Sequence, residues 1–317
     1  MSTIFNSRGQ AIVPSAGMED ALTRIASAYE SEYSGIGLHS QTRFGKTTLA
    51  EYICSYHDWF SVKYVARRAV VRDIGSGENA FLDWFLSKLG VHVVARQHPE
   101  LKFDRIVSTV SMQLQMAGAG CYMFIVDDAN LLDPRAFQHF VSIDERLSDN
   151  GVRLFVVFLF QDYHTSGKEE KINTLVTAPQ VKSRFLTRYH RVHGIRGVED
   201  AALFLERFED EVEMAPGAGI SLPRHVAPAL YETKFRMRYA SEMLWEQGSR
   251  IRVAAGHSPK DEWPMKSFWL IAFHLTTRTI CQVGFSDFNV EQVVQAIRFS
   301  DLAVFDGISG AVEFSRE

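Results

Sequence analysis

Cysteine is scarce in this chain: Cys54, Cys121 and Cys281 are the three in 317 residues, far apart and odd in number. That excludes a disulfide framework and reads as reduced thiols in a cytoplasmic setting. Cys54–His57 and His190–His193 are isolated pairs with no second pair at ligand spacing, so the sequence is a poor match for a zinc module. No uninterrupted apolar run is long enough to span a bilayer, and the polar start MSTIFNSRGQ has no apolar core of a signal peptide. No membrane partner is expected. Excess positive charge is missing too: the net charge is -4, so any nucleic acid must be held by local basic patches. Internal repeats and low-complexity tracts are absent. What is present, 46% hydrophobic and 12% aromatic residues, is enough for a sizeable core.

The chain is organised around SGIGLHSQTRFGKTTLAEY, residues 34–52. A short apolar run enters a loop that closes on Gly45-Lys46-Thr47-Thr48, and a helical pattern begins at once. Strand, loop and helix in that order make a phosphate-binding loop, whose N–H groups and helix N-terminus point at phosphate oxygens. Ser40, Gln41, Thr42, Arg43, Phe44, Gly45, Lys46, Thr47 and Thr48 form the candidate nucleotide cradle. Lys46 would reach the β- and γ-phosphates of ATP, and Thr47 would ligate Mg2+. Ser40 departs from the motif, which has glycine there.

Strands are expected at 34–39, 62–72, 121–126, 154–160 and 188–192, alternating with helices at 18–30, 46–56, 76–89, 99–117, 133–147 and 169–186. This pattern gives an α/β fold, a parallel five-stranded sheet with helices on both faces. Beyond residue 197 only helical patterns follow, at 198–212, 222–232, 235–246, 263–283 and 289–299. The expected organisation is an irregular N-terminal arm over 1–17, an α/β core over 18–196, a small helical lid over 197–250 and a helical extension over 251–317.

The run CYMFIV ends in Asp127-Asp128. In P-loop enzymes a second buried strand ends in an acid that holds Mg2+, followed by one that positions water. Asp127 and Asp128 stand where those groups belong; a solvated acid pair capping a helix is the plainer alternative. Gln161 or Asp162, after LFVVFLF, could sense the γ-phosphate or simply leave the core. Arg184, with Arg188 in reserve, could reach a neighbouring subunit's nucleotide, and Arg238 could fold back onto its own. From the residues alone, a solvated basic helix end or face is the favoured reading of both. Lys63, Arg67, Arg68, Arg72, Lys102 and Arg105, with Arg96, cluster between the loop helix and the Asp-Asp strand. They could contact duplex phosphates or be solvated faces.

Taken together, these motifs resemble the AAA+ ATPases. GKTTLAEYI, FIVDDANLL and SRF are similar to the TniB/TnsC group, ATP-dependent regulators of transposons that use a DDE transposase. The resemblance covers residues 10–250. It implies a nucleotide-driven homo-oligomer, ring or helical filament, on double-stranded DNA. That assembly would link a TniQ-type target selector, in some elements part of a CRISPR effector, to the transposase. It also implies Lys46 and Thr47 as the Walker A pair, Asp127 on Mg2+ and Asp128 as the catalytic acid. Gln161 falls at sensor 1, Arg184 at the arginine finger, Arg238 at sensor 2, and Ile12 and Val13 beside the adenine. Asp128 stands where a glutamate is usual, one methylene shorter, which implies slow hydrolysis. Other AAA+ machines, initiator-like, clamp-loader-like or signalling, are the alternative, followed by a P-loop small-molecule kinase.

Overall fold

The computed structural model describes residues 4–6, 9–162, 178–215, 217–258 and 262–303. It divides into two compact units, one of Met1–Asp20, Gln41–Thr48 and Val192–Glu317, the other of Ala21–Ser40 and Leu49–Arg191. No described helix is long and apolar enough to cross a membrane.

The second unit is built on a parallel sheet. Its strands are β3 (Gly35–Ser40), β4 (Tyr64–Val70), β5 (Cys121–Asp127), β6 (Leu154–Gln161) and β7 (Tyr189–Arg191), in the spatial order β4-β5-β6-β3-β7. Every residue of β5 is buried, as its continuous apolar run requires of a strand covered on both faces. Alternation divides it: Tyr122, Phe124 and Val126 join the core under helices α3 (Glu78–Lys88), α4 (Pro99–Ala117) and α5 (Ala136–Asp149). There the Phe85 ring stacks on Phe124 with centroids 4.4 Å apart. On the opposite face Tyr29 of α1 (Ala16–Glu30) meets the Phe155 ring edge-on at 5.7 Å. Burial pushes the thiols of Cys54 and Cys121 up to about 11 and about 12, so both stay protonated.

The first unit is helical, around one core that includes Val13, Phe204, Leu244, Trp263, Phe268 and Val293. Helix Ser241–Ala254 runs through residue 250, and the helices on either side share that core.

Several local expectations are corrected. Among the described residues of the N-terminal arm, β1 (Ile4–Phe5) pairs antiparallel with β2 (Ala11–Ile12), where no strand is expected from the sequence. Helix α5 starts at Ala136 rather than Asp133, because the Asp133 carboxylate accepts the Arg135 N–H at 2.7 Å and closes a turn first. The stretch 222–232 breaks into Leu222–Val226 and Pro228–Tyr231, since Pro228 offers no N–H to continue the first helix. The helix expected at 235 is preceded by a 3-10 turn, Met237–Ala240. Trp263 forms a β-bridge with Ile195 before helix Met265–His274, which runs on as a π turn over Leu275–Thr279. Of the helix expected at 169–186, Pro179–Phe185 is observed, and residues 169–177 lie outside the described residues.

Candidate functional site

Strands β3, β5 and β6 run parallel, so their carboxyl ends meet at one edge of the sheet, where ligands of open α/β folds bind. Ser40, the last residue of β3, stands in register with Gln161, the last of β6. The Asp162 N–H donates to the Ser40 carbonyl at 2.9 Å, and the Asp162 carboxylate holds His39 Nδ1 at 3.0 Å. Asn130, which sequence reasoning passed over, ties this edge across: its side-chain oxygen accepts the Gln161 N–H at 3.2 Å.

Asp127 closes β5 with its side chain only 2% exposed. Arg68 of β4 donates to it twice, from Nε at 3.0 Å and Nη2 at 2.7 Å, while Nη1 reaches Glu51 at 3.1 Å. Asp128 then turns into the left-handed region, φ 60°, and opens a single 3-10 turn. The two acids therefore differ: Asp127 is buried against a guanidinium, and Asp128 is half-buried where the chain leaves the sheet.

The loop after Ser40 lies in the first unit. Positive φ occurs at Arg43 (72°) and Gly45 (96°), as in the nests of N–H groups that take anions. Lys46, 8% exposed, begins α2 (Lys46–Ser55) and donates from Nζ to the Gln41 carbonyl at 2.9 Å. The ammonium is thus folded over its own loop. Thr47 is exposed beside it, and Thr48 is half-buried. These residues fit a nucleotide triphosphate: a curled backbone, a lysine folded across it and a hydroxyl next in the chain. Ile12 and Val13 are buried in the same unit, where the Pro14 carbonyl accepts Arg207 Nη1 at 2.8 Å.

The arginines proposed for phosphate are held elsewhere. Arg184 pairs with Asp144 at 3.4 Å and Glu145 at 2.8 Å, both on α5. Burial raises the Asp144 carboxyl above the ordinary value, against the lowering pull of the Ser34 hydroxyl and of Arg184. Arg238 meets Glu206 at 3.4 Å on an exposed face.

Two residues named for DNA have acidic partners within the protein. Arg68 is committed to Asp127 and Glu51, and Lys102, 2% exposed, is paired with Asp83 at 2.7 Å. Arg105 donates to Gln97 at 2.8 Å and to the His92 carbonyl at 2.6 Å. Lys63, Arg67 and Arg72 are exposed on and beside β4, at the edge of the sheet. Among the described residues no group of three or more His, Cys, Asp or Glu could cage a metal.

No family model matches the sequence, and no curated protein matches it. Among solved structures the chain is similar to a point variant of Thermotoga maritima RuvB, at 13% identity, covering 90% of this chain and 69% of that one with a TM-score of 0.43. It is similar to AMPPCP-bound DnaA from Aquifex aeolicus at 13% identity, over 94% and 93% of the two chains, TM-score 0.37. Drosophila ORC bound to DNA is similar at 10% identity, over 93% and 46%, TM-score 0.36. Identities and TM-scores this low carry no function across, which rests on the residues themselves.

Proposed function

We propose that this chain is an AAA+ ATPase of the TniB/TnsC kind. In this reading it assembles with its own copies on double-stranded DNA and links a TniQ-type target selector to a transposase. The observation that carries the ATPase reading is the sheet edge where β3 ends, leading directly into Gly45-Lys46-Thr47, and where β5 ends in Asp127-Asp128. The transposition reading rests on the likeness of GKTTLAEYI, FIVDDANLL and SRF to that group.

Lys46 and the curled loop N–H groups would hold phosphate charge, Thr47 would be the loop's Mg2+ ligand, and Asp127 would be the acid associated with the ion. When bound, the ion would neutralise charge that develops on the transferring phosphoryl group. Asp128 orients the attacking water from a shorter arm than glutamate, which makes turnover slow and assembly the main output of binding. Gln161 reads the γ-phosphate from the end of β6. Arg184 serves a neighbouring copy's nucleotide after giving up its pairing with Asp144 and Glu145, and Arg238 serves its own. Lys63, Arg67 and Arg72 supply duplex phosphate contacts.

Electron microscopy of the purified protein with duplex DNA, with and without ATP, tests this. Rings or filaments that need both ligands and vanish in Lys46→Ala are expected. A chain that hydrolyses ATP yet stays monomeric under every condition would overturn the regulator reading and favour a small-molecule kinase.

A further inference from the structure

The phosphate-binding loop is gripped from far along the chain. All the residues concerned belong to the first compact unit. Trp263 is fully buried and pairs with Ile195 through two backbone hydrogen bonds, of 2.8 and 3.1 Å. Its indole stacks on Trp245 with centroids 4.8 Å apart. At Gly194 the backbones are so close that an added β-carbon would lie 2.1 Å from the Trp263 carbonyl and 3.1 Å from the Phe44 ring. Phe44, the buried apolar residue of the loop, is therefore seated against this bridge. Three residues beyond Trp263, the Lys266 N–H donates to the Arg43 carbonyl at 3.2 Å. Met265 lies over Gly45, where a β-carbon would be 3.7 Å from its Cγ.

Three successive loop residues, Arg43, Phe44 and Gly45, are thus each met by the segment Gly194 or Trp263–Lys266. Two of the three have positive φ. Arg43 has a side chain that disfavours this conformation, so something outside the loop must hold it there. We propose that Trp263–Lys266 is a positioning element for the phosphate-binding loop, and that Met265 is the side chain that sets nucleotide affinity through it. Arg43 and Gly45 curl the loop so that its N–H groups converge, and the segment keeps that curl in place before phosphate arrives. Preorganisation of this kind acts on affinity, because ordering the loop no longer opposes binding. The inference rests on the ATP reading above and gives the region beyond residue 250 a role within the nucleotide site.

The test measures ATPγS affinity by calorimetry, with Mg2+, for the full-length wild type, Lys46→Ala, Met265→Ala and Met265→Leu. Half-buried Met265 tolerates truncation without loss of the fold, which the melting temperature of the unliganded protein checks. Met265→Ala should bind about five- to ten-fold more weakly, of the order expected for one packed contact. Its KM for ATP should rise in parallel while kcat at saturation holds, and Met265→Leu should recover most of the loss. Arg43→Gly, which adopts positive φ without strain, should recover affinity in the Met265→Ala background. Wild-type affinity in Met265→Ala, with binding still lost in Lys46→Ala, would overturn the positioning role and leave the ATP reading standing. Wild type that shows no Lys46-dependent binding would overturn both.

Discussion

Arg68 grips Asp127 with two hydrogen bonds, from Nε at 3.0 Å and from Nη2 at 2.7 Å, and the carboxylate it grips is almost wholly buried. An ionised side chain in that position needs a counter-charge, and in this structure the arginine supplies it. Removing it takes two charge-assisted hydrogen bonds from a buried carboxylate. Arg68→Gln should lower unfolding free energy in chelator-treated buffer by about 2 kcal/mol, less than for a fully buried pair because Arg68 is itself 24% exposed. Millimolar Mg2+ should recover more of that loss in the variant than it adds to wild type, if Asp127 takes the ion. Denaturant melts with and without Mg2+ check this; equal Mg2+ effects in both proteins would count against Asp127 as a metal ligand.

Ser40 is the departure from the loop motif that the structure accommodates without strain. It is fully buried, paired in register with Gln161, and absent from the positions with positive φ. Glycine there would gain no conformation the serine lacks. Ser40→Gly should leave ATP affinity within about two-fold and cost roughly 0.5–1 kcal/mol from the greater freedom of the unfolded chain. Gly45, at φ 96°, is the position that does require glycine. Gly45→Ala should weaken ATP binding more than about ten-fold. Titration of both variants with the same nucleotide separates the two glycine requirements.

The elements legible in the sequence are those whose signal is local. Helix Pro99–Ala117 agrees with its reading to the residue because proline at its first position and left-handed Gly118 after its end mark both limits. The buried strands β5 and β6 announce themselves as unbroken apolar runs. What stayed hidden depends on partners far away in the chain. Arg68 reads as one more surface charge until β4 pairs with β5 and brings Val70 opposite Asp127. Lys102 is polar in type, yet the packing of α3 on α4 buries it on Asp83. The grip of Trp263–Lys266 on residues 43–45 crosses more of the chain still, and no periodicity encodes it. A register shift in α5 came from one side chain, Asp133, competing for a backbone N–H.

Arg184 and Asp144 give a pH signature. Burial raises the Asp144 carboxyl in the folded chain, so over the interval just above about pH 4 the native state holds a proton that the unfolded chain has released. Stability contributed here is present at low pH and is lost as pH rises through the folded value. Asp144→Asn should flatten that part of the profile. Arg184→Ala removes a group that pulls the value down, so it should steepen the fall, by less than about 1 kcal/mol because Arg184 is 37% exposed. Urea melts across that interval measure both slopes. The same Arg184→Ala protein should bind ATP normally yet lose hydrolysis in the assembled state, if the side chain serves a neighbouring copy.

Basic residues near β4 divide by where their charges go, and the division predicts different salt dependences. Lys63, Arg67 and Arg72 are exposed at the sheet edge, whereas Lys102 is buried on Asp83. Each phosphate neutralised releases condensed counterions and adds about 0.9 to the slope of log affinity against log salt. Lys63→Ala, Arg67→Ala and Arg72→Ala should therefore each weaken duplex binding for all sequences alike and reduce that slope by about one. Lys102→Met should keep the slope of wild type and lower the melting temperature instead, since Asp83 loses its partner. Fluorescence anisotropy on one duplex at several salt concentrations reads the slopes directly. A Lys102 variant that melts like wild type but loses a unit of slope would show the side chain leaving Asp83 for the DNA. Unchanged slopes in all three exposed variants would move the duplex to another face of the protein.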